Sequence, residues 1–285
     1  MNAMDIFQKI VTPGRLRLWT QGDELLTGFV ARRADTAWAQ TPSEIRDAHG
    51  YATSDPSFAG SPFVDVLRFA SADSLTFVAA TGVGGEGFIE PAPFTGTGFV
   101  PTDRGIVPLW WVEPTRVPPG SELWRIHPDG REEFLSLYAN VASGWQPGHG
   151  RALQSDVCGR FARWNGGAVL ADVLENGRVV LASYARTEDA KLTERGLWAW
   201  VVDATQIEQP YTLRLTARYK DLPFQVVRRW NDGDRVVARL VYLGRDATRA
   251  GQAGLERTDA GVYEVTAALE ELTDVRGEEL APSRV

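Results

Sequence analysis

The sequence predicts a mainly β protein: three tandem small β modules, each an SH3-like barrel or half-open sheet, with short helices and an inserted β-hairpin. Three observations lead there. A Thr-[Asp/Glu]-x-Gly-aliphatic motif occurs three times, at Thr102–Ile106, Thr193–Leu197 and Thr258–Val262. Short runs rich in Val, Leu, Phe and Trp flank each motif in the same order, as duplicated units do. Asn176-Gly177 and Asp232-Gly233 each sit between two such runs, and these dipeptides favour the positive φ of tight hairpin turns.

The first 57 residues form a mixed segment. Asp5–Val11 reads as a short helix ended by Thr12-Pro13-Gly14, and Arg15–Trp19 and Leu25–Ala31 read as strands. Thr41-Pro42-Ser43-Glu44 is a capping box with Pro at the first helical position, opening a helix to about His49. Module 1 (58–117) begins Pro62–Phe69 and closes at Val100–Val107. Residues 118–152 are an insertion, in which Glu122–Ile126 and Glu133–Tyr138 flank a Pro128-Asp129-Gly130 turn. Module 2 (153–210) pairs Ala168–Val173 with Arg178–Leu181, and module 3 (211–276) pairs Pro223–Trp230 with Arg235–Val237. Asp203–Ile207 and Thr266–Leu272 each read as a single helical turn. Asp246 caps a short helix stopped by Gly254, and 277–285 is a tail.

Composition narrows the function. Among 285 residues, 30 basic and 37 acidic groups give a net charge of −7, which argues against a grip on nucleic-acid phosphates and suits a basic protein partner. Ten Trp and twelve Phe supply enough large apolar groups for small cores. Cys158 is the single cysteine, so no internal disulfide forms. With no apolar run of signal or membrane length, the expected location is the cytoplasm.

No catalytic residues are assigned. His49, His127 and His149 are far apart and neither HExxH nor CxxC occurs, so no metal ligands or cofactor are assigned either. Cys158, beside an apolar run, reads as a small buried hydrophobe rather than a nucleophile. Gly82–Gly87 has the glycines of a phosphate loop, but Pro91 and Pro93 follow where the helix should start. The acid pairs Glu132-Glu133 and Glu270-Glu271 read as solvated faces. Pro118–Ile126 is similar to the first strand of ADP-ribosyl-transfer folds, with Arg125 available for a pyrophosphate, but no Ser-Thr-Ser strand or Glu-x-Glu loop follows. Trp110-Trp111 are consecutive in a strand, so one faces in and one out. The outer one, with Trp124 and Trp145, is a candidate recognition surface.

The copies at 153–210 and 211–276, with Leu255–Tyr263 and Glu271-Leu272-Thr273-Asp274-Val275, resemble a repeated module of actinobacterial proteins. That module is associated with immunity partners of polymorphic toxins, including NAD glycohydrolases of the tuberculosis necrotizing type. The resemblance implies an immunity factor that covers the active site of a cognate protein toxin. Since insertions into repeat arrays project as loops, the expected contact residues are Arg125, His127, Asp129, Arg131 and Trp145. The alternatives are an enzyme acting on NAD or a nucleotide around residues 82–145, and a structural multi-module adaptor.

Overall fold

The computed structural model describes residues 5–52, 55–79, 88–90, 98–147, 151–174 and 176–281. The chain is mainly β, 51% strand and 12% helix, with a curled half-barrel sheet and a few short helices.

The N-terminal half contains β1 (Ile6–Val11), α1 (Pro13–Thr20), β2 (Leu25–Arg32), α2 (Pro42–Ala48), β3 (Val64–Ala70) and β4 (Phe77–Ala79). It continues through β5 (Phe99–Thr102), β6 (Gly105–Pro108), β7 (Trp110–Arg116), β8 (Ser121–Ile126), β9 (Glu132–Tyr138) and β10 (Trp145–Gln146). Eight of these strands form one sheet in the order β10-β9-β8-β3-β1-β2-β7-β4, while β5 and β6 make a separate two-stranded ribbon.

The opening residues depart from the sequence expectation. Ile6–Val11 is a strand, and Thr12-Pro13 starts a helix instead of ending one. The Thr12 hydroxyl accepts from the Arg15 amide, and Pro13 occupies the first helical turn, where a missing N–H costs nothing. Ile6, Phe7, Ile10 and Val11 favour a strand, and Ile6–Val11 forms a six-residue antiparallel ladder to β3, from Ile6↔Ala70 to Val11↔Asp65. The Thr41 capping box forms as its sequence indicates.

The C-terminal half runs β11 (Cys158–Trp164), β12 (Gly167–Val173), β13 (Arg178–Ser183), β14 (Lys191–Leu192), β15 (Trp198–Asp203), β16 (Tyr211–Tyr219) and β17 (Leu222–Asp232). Then come β18 (Arg235–Tyr242), α3 (Ala247–Gln252), β19 (Glu256–Asp259), β20 (Val262–Ala268) and β21 (Thr273–Leu280). The sheet order is β14-β15-β13-β12-β11-β16-β17-β18-β20-β19, with β21 paired to β16. Each of the three Thr-x-x-Gly motifs is a turn between neighbouring strands: β5–β6, β14–β15 and β19–β20.

Sheet pairing crosses the boundaries drawn from the sequence. β1 and β2, from the mixed segment 1–57, lie between β3 and β7 of module 1. The hairpin β8–β9 continues that sheet, with β8 paired to β3 from Val64↔Ile126 to Arg68↔Glu122, so its body is not a projection. Modules 2 and 3 are joined by β11 against β16, and residues 277–280 of the expected tail belong to β21. Size favours this: about 60 residues alone make only a marginal core, and each unpaired edge is a liability that a neighbouring strand removes.

Both faces of the N-terminal sheet are covered. One cluster includes Ile10, Phe29, Val66, Trp111 and Ile126, and another includes Phe7, Trp19, Leu67, Phe69 and Tyr138. Leu25 meets Cys158, Val227, Val241 and Val262, so one apolar cluster spans the two halves. The Trp111 indole N–H donates to the Gly261 carbonyl at 3.0 Å across the same seam.

Candidate interaction surface

The β8–β9 hairpin carries four of the five expected contact residues, Arg125 on β8 and His127, Asp129 and Arg131 in its turn. Register sets their spacing: Ile126 pairs with Glu132, leaving His127–Arg131 as the turn. The Arg131 amide donates to the Asp129 carboxylate at 3.1 Å, and the Gly130 amide donates to the His127 carbonyl at 2.9 Å. His127 Nε2 lies 2.7 Å from a Glu133 carboxylate oxygen, and this contact holds the Glu133 carboxyl below its usual range. Arg131 reaches the same carboxylate only at 4.0 Å and is exposed with Asp129. Arg125 is already engaged: it donates to both Asp65 oxygens, at 2.8 and 3.1 Å, and its guanidinium stacks 3.6 Å from the Phe63 ring centre. A pyrophosphate would have to displace that carboxylate.

Trp145 does not join them. It sits on β10 at the far side of β9, 5% exposed, 5.5 Å from the Trp19 ring and 5.4 Å from Tyr138. Its place in the sheet gives it core neighbours on the face where the sequence suggested a contact, so it cannot meet a partner. Trp111 is likewise buried, while half-buried Trp110 packs edge-on to Phe7 beneath Arg32.

What the turn does adjoin is an aromatic and charged patch on β3, β8 and β9. Cross-strand pairing puts Trp124 opposite Phe134, with ring centres 5.4 Å apart, and Phe134 is 48% exposed. The Trp124 indole is oriented by a 2.8 Å hydrogen bond to Glu122, and the Arg68 guanidinium stands 5.3 Å from its ring centre. Arg68 forms a fork with Glu132, at 2.7 and 2.6 Å, and its Nε donates to Gln8 at 3.1 Å. The bidentate geometry and cation–π contact fix the guanidinium plane. The patch borders an open cleft of about 710 Å³ lined by Gln8, Arg32, Arg33, Thr36, Arg68 and Glu132. Sequence reasoning named Trp124 but missed Phe134 and Arg68. The alternation of Phe134 with Glu133 and Leu135 was the available signal.

The remaining polar clusters are buried at the seam. Glu24 receives hydrogen bonds from Tyr138 at 2.5 Å, Gln154 and Arg195. Asp259 pairs with Lys9 at 2.6 Å and accepts from the Tyr51 hydroxyl. Glu264 sits between Arg15 and Arg239. Arg116 pairs with Asp172 at 2.8 Å. These groups are nearly inaccessible and close on one another, which makes them a structural clasp.

Cys158 is buried, its thiol pushed up to about 12 by burial, with the Gln225 amide 3.4 Å away opposing that shift. It is therefore no thiolate nucleophile near neutral pH. Among the described residues, no three His, Cys, Asp or Glu side chains gather as metal ligands. Residues 82–87 and His149 lie outside the described residues. Among the described residues, no helix is long and apolar enough to cross a membrane.

Comparison with protein-family models, curated proteins and solved structures finds no match to this chain.

Proposed function

We propose that this chain is a protein-binding immunity factor that neutralises a cognate toxin by covering its active site with the β3–β8–β9 face and the adjoining turn. The observation that carries the binding reading is the Trp124–Phe134 pair beside the cleft, with the Trp124 ring held by the buried Arg68 guanidinium. It combines residue types enriched at binding hot spots with side chains oriented by Glu122 and Glu132, so little rotamer freedom is lost on contact. The toxin as partner rests on the resemblance of the repeated module. The net charge of −7 supports a basic partner, since complementary fields speed encounter.

The test is co-expression with the toxin encoded beside this chain's gene. The wild type is expected to protect the host and co-purify with the toxin. Phe134→Asp combined with Arg131→Glu alters two exposed positions and should weaken binding by at least about tenfold, the loss of one modest hot spot. Full protection by that double variant would remove this surface from the proposal.

One observation favours an enzyme acting on NAD or a nucleotide. Burial pushes the Glu90 carboxyl up to about 7, with the Tyr263 hydroxyl 3.1 Å away, the poise of a general acid–base group. NAD turnover by the purified chain, lost in Glu90→Gln, would put that reading first. No turnover would dismiss it.

A further inference from the structure

The edges of the two large sheets are not alike. The four strands that end them, β4, β10, β14 and β19, are two to four residues long, which leaves little backbone for another chain to pair with. β21 is the exception. It runs eight residues, contains neither Lys nor Pro, and pairs only with β16 among the described residues. Its amides and carbonyls alternate in direction, so every second residue turns them away from β16. Thr273–Glu279 is exposed throughout, with Val275 at 50%. A bulge confines the usable edge: Asp274 stands at φ +49, and the pairing register shifts beside it, between Thr216 and Arg218. From Arg276↔Thr216 to Leu280↔Thr212 the ladder is regular, so the outward groups of that stretch keep the spacing of a strand.

The edge is acidic once its neighbours are included. Glu279 is held by Arg163 at 2.7 Å. Arg214, opposite Glu278, is held by Glu113 at 3.3 Å, and Arg218 turns its guanidinium to the Asp221 carbonyl at 2.5 Å. In the helical turn before β21, Glu271 accepts from the Ala268 amide. What remains is Glu270, Asp274 and Glu278 against Arg276, none of the four in an ion pair within 4 Å among the described residues. Counting all of these groups, six acids meet four bases. Farther out, Glu208 near Arg163 and Arg245 near Glu113 cancel, leaving that surplus unchanged.

We propose that the free edge of β21 takes an added strand, an extended segment of a partner protein rich in Lys or Arg that ladder-pairs with Arg276–Leu280. The unpaired backbone selects an extended chain, because only a strand answers a row of alternating donors and acceptors. The surplus of acid selects a basic one, whereas a second copy of β21 would double that surplus. The regular edge is short, so the complex is transient, with a Kd on the order of 10–100 μM. This edge belongs to the C-terminal sheet and is independent of the β3–β8–β9 face.

The probe is a fluorescent peptide of alternating lysine and valine, titrated with the full chain and followed by anisotropy and by amide hydrogen exchange. Saturable binding in that range is expected, with exchange slowed within Arg276–Leu280. A fully N-methylated form of the peptide keeps the charge but has no backbone donors, and should bind at least about tenfold more weakly. Asp274→Asn combined with Glu278→Gln neutralises two exposed acids and should weaken the unmodified peptide about fivefold, with an unchanged melting temperature confirming the fold. Phe134→Asp should leave peptide binding unchanged, which separates the fate of this edge from that of the toxin-binding face. No binding up to about 1 mM overturns the proposal, as does equal affinity for the N-methylated peptide or protection confined to other strands. Dimerisation of the chain without peptide, with the same amides protected, gives the edge to a second copy and overturns it as well.

Discussion

Glu264 joins the first helix to the C-terminal sheet, and replacing it by Gln should be among the costliest single changes in the chain. Its carboxylate lies 2.5 Å from Arg15 Nη2, contacts Arg239 Nε, and accepts from the Thr258 hydroxyl at 2.8 Å. Burial by itself would raise this carboxyl, but Arg15 and Arg239 outweigh it and hold it down to about 2. The usual value is 4.5, and at roughly 1.4 kcal/mol per pH unit the difference amounts to about 3 kcal/mol. The folded-state pKa is depressed, so this stability is fully present above pH 4.5 and is lost as pH falls toward 2. In Glu264→Gln, Arg15 is left in the interior without a carboxylate, while Arg239 keeps Asp23. Breaking a buried pair from one side costs about 3–5 kcal/mol, which is the deficit expected at pH 7. Urea unfolding of both proteins between pH 7 and pH 3 measures it. The gap should hold to about pH 5 and then narrow, with about 2 kcal/mol gone by pH 3 as the wild type protonates Glu264 on unfolding. A deficit under about 1 kcal/mol at pH 7, or a gap that stays constant down to pH 3, would refute the reasoning.

Other outcomes follow from the same seam. His49 is buried against the Ile45 and Gln8 carbonyls, and burial lowers its ring to about 4 from 6.5. Its folded-state pKa is also depressed, so the wild type should lose about 3 kcal/mol as pH falls from 6.5 to 4, a loss that His49→Gln removes from the pH profile. Gly261→Ala places a Cβ 2.5 Å from Phe29 at φ +68 and should cost about 2–4 kcal/mol, read as a lowered urea midpoint. Gly233→Ala, at φ +59 with nothing within 4 Å of the added Cβ, should cost only about 1 kcal/mol. The Cys158 thiol should react with a thiol-specific disulfide reagent only at the rate of unfolding; prompt labelling of native protein at pH 8 would contradict its burial.

The candidate surface was partly legible in the sequence. Pro128-Asp129-Gly130 announces a turn, and His127 and Arg131 both reach toward Glu133 there, while Arg125 stands on β8 against Asp65. Trp145 was misread because an aromatic residue in a short strand looks the same whether its neighbours are solvent or, as here, Trp19 and Tyr138. Arg68 carries no local sign of its role, which depends on Glu132 lying two strands away.

Local chemistry alone determined the mainly β character, the Asn176-Gly177 and Asp232-Gly233 hairpins, the three Thr-x-x-Gly turns and the Thr41 helix start. Each depends on φ preference or on a side chain reaching a backbone amide within about four residues. The tertiary structure decided whether Thr12-Pro13 ends one element or begins another, because the six-residue ladder between β1 and β3 holds Ile6–Val11 as a strand. It also decided which strands share a sheet, and that Glu24 meets Arg195 and Lys9 meets Asp259. A buried carboxylate is worth its desolvation only beside its counter-ion. That pairing is set when two distant segments close on one another, and no short stretch of sequence records it.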